Sequence, residues 1–119
     1  STNDAEISLG TGTRVGLYSI FNGGDAISIG KKCLISGFVY LQTSMHGFAE
    51  KTKSIQDQGY KHAPIFLKDD CWLASHVVIM PGVILKKGAI VGSNAVVNKD
   101  VEEFDVVAGI PAKPITKRN

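Results

Sequence analysis

Broken every six residues, the stretch from Leu67 to Val101 reads LKDDCW, LASHVV, IMPGVI, LKKGAI, VGSNAV and VNKDV. The first position of each hexad is Leu67, Leu73, Ile79, Leu85, Val91 and Val97, a branched aliphatic every time. The fifth is Cys71, Val77, Val83, Ala89, Ala95 and Val101, small or apolar every time. A short fixed period marks a repeat architecture, and hexads of this kind build a parallel β-helix. Each hexad supplies a short strand and a corner, and three of them close one triangular coil. The first-position side chain points into a narrow prism, where only a modest second side chain fits beside it. Successive coils stack in parallel ladders, each burying the face of the next. Two unrelated strands would not keep this beat through every position.

The same beat occurs upstream in Ile29, Ile35 and Leu41, with Cys33 in the fifth position after Ile29. The next step falls at residue 47, yet the pattern resumes at Leu67, so 67 minus 47, or 20, residues are inserted. With the insertion removed, Cys33 and Cys71 are 18 residues apart, one coil, in the same inward slot. Their backbones are expected roughly 4.8 Å apart. They read as buried thiols of a reducing cytoplasm. A disulfide is the lesser alternative, because in-register parallel neighbours rarely meet its dihedral requirement. Leu9, Val15 and Phe21, with Thr13 and Ser19 in the small slots, give an imperfect first coil. Asn22-Gly23-Gly24-Asp25 then adds about two residues before the register restarts. The expected architecture is all-β: one domain over residues 1–119, a parallel β-helix of about four coils, one protruding loop over about 45–64, and a short C-terminal cap around Ala108–Ala112. Pro111 and Pro114 cannot donate to a ladder and favour a terminating segment.

Composition narrows the function. A net charge of +2 argues against nucleic acid as the main partner. No apolar run approaches the ~20 residues of a membrane helix. No secretory signal pattern opens the chain, which is expected to be cytoplasmic. The insertion, Met45 to Pro64, is polar, charged and lacks the six-residue beat. A loop of that length within a compact repeat is usually functional.

The histidines are His46, His62 and His76. One reading makes them a metal set, since zinc ligands can come from neighbouring subunits. Their spacings of 16 and 14 residues depart, however, from those of the γ-class carbonic anhydrases, which share this repeat. The other reading makes His46 a general base. Unperturbed imidazole titrates near pH 6.5, which suits proton removal from a hydroxyl at neutral pH. His46 sits where the insertion leaves the prism, so a loop can exclude water there. His62 reads as a loop residue and His76 as a surface corner residue. Trp72 precedes an inward step residue, so by alternation its ring points outward, towards a subunit interface or a ligand channel. Lys99, Lys113, Lys117 and Arg118 cluster near the far end, as phosphate contacts or as a solvated tail.

Ala63–His76, Ile79–Val83, Ile90–Val101 and Ala108–Lys113 together resemble the hexapeptide-repeat acyltransferases. The branch they are most similar to holds the maltose and galactoside O-acetyltransferases and the sugar acetyltransferases of surface-polysaccharide synthesis. The resemblance spans about residues 26–115. It implies a left-handed β-helix, against the general right-handed crossover rule, and a homotrimer with active sites between subunits. It implies acetyl-CoA as donor, a saccharide hydroxyl as acceptor and no metal. His46 takes the place of the family's base and Trp72 that of its channel tryptophan. Ser75 offers its backbone near the thioester, and Ser93, Asn98, Lys99 and Lys113 fall on coenzyme A contacts. Galactoside-type enzymes carry an Asn-x-Asn and an Asp-Asp that touch the sugar. Here these positions read Gly16-Leu17-Tyr18 and Gly23-Gly24-Asp25, so only Asp25 keeps a comparable acceptor-binding group. A non-catalytic β-helix scaffold is the alternative from another class; it would keep the repeat and dispense with a base.

Overall fold

In the computed structural model, which describes residues 5–119, the hexads close into a left-handed β-helix. The first coil comprises β1 (Ile7–Leu9), β2 (Arg14–Val15) and β3 (Ile20–Asn22). The second comprises β4 (Ile27–Ile29), β5 (Leu34–Ile35) and β6 (Tyr40–Gln42). The inserted segment contributes β7 (Ser44–His46), a 3₁₀ turn (Ile55–Asp57) and β8 (Tyr60–His62). The third coil follows as β9 (Ile65–Leu67), β10 (Trp72–Leu73) and β11 (Val78–Ile79), and the fourth as β12 (Ile84–Leu85), β13 (Ile90–Val91) and β14 (Val96–Val97). Three parallel faces result. The first orders β1-β4-β9-β12, the second runs β2-β5-β10-β13, and the third orders β3-β6-β11-β14.

The register explains the core. Leu9, Ile29, Leu67 and Leu85 share one inward row of the first face. All six first-position residues from Leu67 to Val97 are buried, as are all six fifth-position residues from Cys71 to Val101. Each such aliphatic stabilises the fold by roughly 1.5–3 kcal/mol relative to an exposed position. Cys33 and Cys71 are buried free thiols. Their sulfurs donate to the Lys68 and Lys86 carbonyls at 3.2 and 3.3 Å. The hydrogen bond with Cys33, and then burial, push the Cys71 thiol pKa up. In the first coil Leu9 and Val15 are exposed; the second coil covers one side of them, and no described residue covers the other.

Corners need a left-handed residue, and the fold takes it from non-glycine side chains as well as glycine. Between the second and third faces these are Tyr18, Phe38, His76 and Asn94, with φ of 60, 61, 62 and 64°. Their rings stack: Tyr18 on Phe38 at 5.3 Å and Phe38 on His76 at 4.9 Å.

The tail does more than cap. Val101 bridges Leu85, and β15 (Asp105–Ala108) pairs in parallel with β13, starting a fifth coil. The chain then reverses after Ala108, and β16 (Lys113–Lys117) returns antiparallel to β15. A register shift between Val106 and Val107 passes over Ile115, and Pro114, opposite Val107, lies on an edge strand as its missing N–H requires.

Candidate active site

The insertion leaves and re-enters the prism at the edge between the third and first faces. Its root is closed by the Ala63 N–H donating to the Thr43 carbonyl at 3.0 Å. From there β7 and β8 form an antiparallel hairpin, with Ser44 opposite His62 and His46 opposite Tyr60. The sequence predicts a protruding loop here, without strands. The two strands bury no apolar face and so show no alternation, and they pair across up to 18 residues, which together account for the difference. Beyond the hairpin, the Gln58 side chain fastens the tip by donating to the Glu50 and Lys53 carbonyls and accepting from the Glu50 N–H.

This hairpin holds the His46 ring against Tyr60, with centroids 4.6 Å apart. His46 lines two clefts. One, about 160 Å³, is mostly apolar and includes Met45, Phe48, Ala63 and Pro81. The other, about 430 Å³, is lined by Asn22, Tyr40, Gln42 and Ser44 together with Ile55 and Tyr60. His62 also lines the apolar cleft, with its Nδ1 2.7 Å from Ser44 Oγ. The hairpin thus brings His62 beside His46, which sequence spacing did not reveal. Gly24 makes the arrangement possible, since a Cβ there would run into Ser44 Oγ and approach His62 Nδ1 to 2.8 Å. His76 sits on a different edge, stacked on Phe38. Among the described residues, no three His, Cys, Asp or Glu side chains group to hold a metal ion.

Asp25 is engaged at the corner below. Its N–H donates to Thr43 Oγ1 at 3.0 Å, and its carboxylate accepts from the Ala26 N–H at 2.7 Å. It lines neither cleft at His46; Asn22, three residues earlier, lines one of them.

A third cleft, about 480 Å³, gathers Asn98, Lys99 and Lys113. Its acids are already committed. Asp100 accepts from the Ile84 N–H, Glu102 pairs with Lys86 and holds that lysine's pKa above its usual value, and Asp105 pairs with Lys117 at 2.7 Å. Arg118 pairs with Asp70 at 2.9 Å. Lys117 and Arg118 therefore brace the tail, while Lys99 and Lys113 enter no ion pair among the described residues and face the cleft. Trp72 and Leu34 are neighbours on the outward side of the second face, and both are about half exposed. Ser75 and Ser93 occupy successive corners between the second and third faces, where the Asn94 N–H donates to the Ser75 carbonyl at 3.1 Å. One chain thus sorts the expected site residues onto two edges. His46, Asn98 and Lys99 belong to the edge between the third and first faces; Trp72, Ser75 and Ser93 belong to the second face and its far edge, and Lys113, which starts β16 at the end of the second-face sheet, lines the cleft of Asn98 and Lys99.

The sequence profile of the bacterial transferase hexapeptide (six repeats) family matches residues 64–99. The chain is a hexapeptide-repeat protein. Its fold is that of the hexapeptide-repeat-containing acetyltransferase VCA0836 of Vibrio cholerae O1 biovar eltor, solved with acetyl coenzyme A: TM-score 0.88, 30% identity, covering 93% of this chain and 60% of that one. A maltose O-acetyltransferase of Clostridium difficile 630 shares the fold at 24% identity with a TM-score of 0.88, covering 95% and 59% of the two chains. In sequence the hexapeptide-repeat chain is 31% identical to a chloramphenicol acetyltransferase of Agrobacterium fabrum over 112 residues, 81% of this chain and 54% of that protein. It spans about half the length of the curated relatives it matches.

Proposed function

We propose that this protein is an acetyl-CoA-dependent O-acetyltransferase acting on a saccharide hydroxyl, with His46 as general base. The observation that carries the reading is the position of His46, an imidazole on the inserted hairpin lining two clefts, on the same edge as Asn98 and Lys99. Similarity to acetyltransferases, one of them solved with acetyl coenzyme A, supports the donor.

In this mechanism Lys99 and Lys113 meet the phosphates of the donor as charge-assisted contacts. A nitrogen of His46 takes the acceptor hydroxyl proton. The oxygen attacks the thioester carbonyl, and a backbone N–H near Ser75 steadies the oxyanion. The C–S bond then breaks, and the imidazolium returns its proton to the departing sulfur. The products are an acetyl ester and the coenzyme A thiol. Trp72, Ser75 and Ser93 lie on another edge of the same chain, so the site is completed by a neighbouring subunit of a cyclic trimer. A cytoplasmic location belongs to the same reading, in keeping with two buried free thiols.

The test is release of coenzyme A thiol from acetyl-CoA across a panel of sugars, with chloramphenicol as comparator. His46→Ala should keep acetyl-CoA binding and lose roughly 10²-fold or more in turnover, the range of a lost general base. His76→Ala should keep most activity. Full turnover by His46→Ala would remove the base assignment, and no thiol release with any acceptor would remove the activity.

A further inference from the structure

A general base has to be oriented as well as placed, and a hydrogen bond to one ring nitrogen is the usual means. Among the described residues, none reaches either ring nitrogen of His46. The imidazole instead meets a ring. Its centroid lies 4.6 Å from that of Tyr60, with the planes tilted by 35°. Beyond Tyr60 the His62 ring follows at 6.0 Å and 18°. His62 is in turn tied to the hairpin root, its Nδ1 2.7 Å from Ser44 Oγ. The base thus stands at the end of a row of three rings that starts from a hydrogen bond.

The strand register produces this row. The Gly47 N–H donates to the Gly59 carbonyl at 2.9 Å, just beyond the His46–Tyr60 pair. The Ala63 N–H donates to the Thr43 carbonyl at 3.0 Å, just beyond the Ser44–His62 pair. Both are therefore the non-hydrogen-bonded kind of antiparallel pair, in which opposite side chains stand closest. A period of two places all four side chains on one face of the hairpin. Tyr60 is 63% exposed, and its hydroxyl finds no hydrogen-bond partner among the described residues. What the position supplies to His46 is therefore an aromatic face.

That face matters most while the reaction is under way. On taking the acceptor proton the imidazole becomes an imidazolium, and a cation within about 6 Å of a ring centroid is attracted to the ring's face. The contact is stronger with the charged ring than with the neutral one. An interaction that strengthens in the transition state raises kcat. We propose that Tyr60 is the positioning residue of His46. Its ring holds the plane of the imidazole and favours the imidazolium as it forms. His62, tied to Ser44, backs the Tyr60 ring from the other side. The proposal rests on the general-base reading above.

Tyr60→Leu and Tyr60→Phe in the full chain test it, assayed with acetyl-CoA and the best acceptor of the sugar panel. Tyr60→Leu should lower kcat by roughly 3- to 10-fold, with acetyl-CoA binding and melting temperature unchanged. Tyr60→Phe, which keeps the ring, should restore kcat to within about twofold of the parent. Tyr60 also lines the larger cleft, so a double-mutant cycle separates the two roles. In a His46→Ala chain Tyr60→Leu should cost nothing further, because its effect runs through the imidazole. A parental kcat in Tyr60→Leu, or the same fall with and without His46, overturns the proposal. NMR supplies a readout that needs no acceptor. The His46 ring protons should carry an aromatic ring-current shift in the parent and in Tyr60→Phe, and lose it in Tyr60→Leu. His46 resonances unaltered in Tyr60→Leu overturn the contact itself. If His46→Ala turns over like the parent, the base reading falls and takes this proposal with it. If His46→Ala is impaired and Tyr60→Leu is not, the base reading stands and this proposal falls.

Discussion

At the scale of single residues, the prism treats its two cysteines as small hydrophobes. Cys33 and Cys71 occupy stacked inward slots, donate to carbonyls and are almost fully excluded from solvent. Buried structural thiols are inert. Ellman's reagent should therefore label neither in the native protein and both in denaturant; labelling of the folded protein would contradict the packing. Gly24 poses the opposite case, a residue whose lack of a side chain matters. Gly24→Ala drives a methyl into Ser44 and His62, and overpacking of this kind costs roughly 1–3 kcal/mol. A melting curve indistinguishable from the parent's would show that the Ser44–His62 contact yields freely. These residues also mark what a sequence discloses. The cysteine stack was legible because it depends only on register. His46 was legible because it adjoins the break in the beat. His62 and Asn22 were not, because each reaches its cleft through a neighbour supplied by strand pairing or coil stacking, and no spacing rule announces that.

At the scale of elements, the hexad is the unit whose failure is most informative. Val91 lies on β13, paired with Leu73 of β10 and Val107 of β15, and is fully buried. Val91→Asp places a carboxylate among aliphatic rows with no partner, one of the few single changes expected to cost several kcal/mol. For a domain of this size the melting temperature should fall by more than about 10 °C. A fall of a degree or two would mean that the register is wrong. The hairpin obeys a different logic. Its face residues are exposed, and it is held by backbone pairing to its root and by Gln58 at its tip. That is why its composition looked like an irregular loop: with little apolar surface to bury, the alternation that betrays an ordinary strand never has to appear.

At the scale of the whole molecule, the separation of site residues onto two edges makes a testable demand. The prism is narrow, and the longest extent of the chain, hairpin and tail included, is 51 Å; Trp72 and Leu34 are exposed side by side on one face. A cyclic trimer can set the His46 edge of each subunit against the Trp72 face of the next. Sedimentation at micromolar concentration should show a trimer, and a monomer would remove the shared site. Mixing goes further. His46→Ala and Trp72→Ala should each be impaired alone. A shared site is intact wherever a subunit keeping His46 meets a neighbour keeping Trp72. Random assortment of equal amounts, unfolded and refolded together, restores that pairing in about one quarter of sites. Activity should therefore climb from the level of the single variants towards about a quarter of the parent's. If the refolded mixture is no more active than its components, His46 and Trp72 do not serve one site across a subunit boundary, and the catalytic assembly has to be found within a single chain.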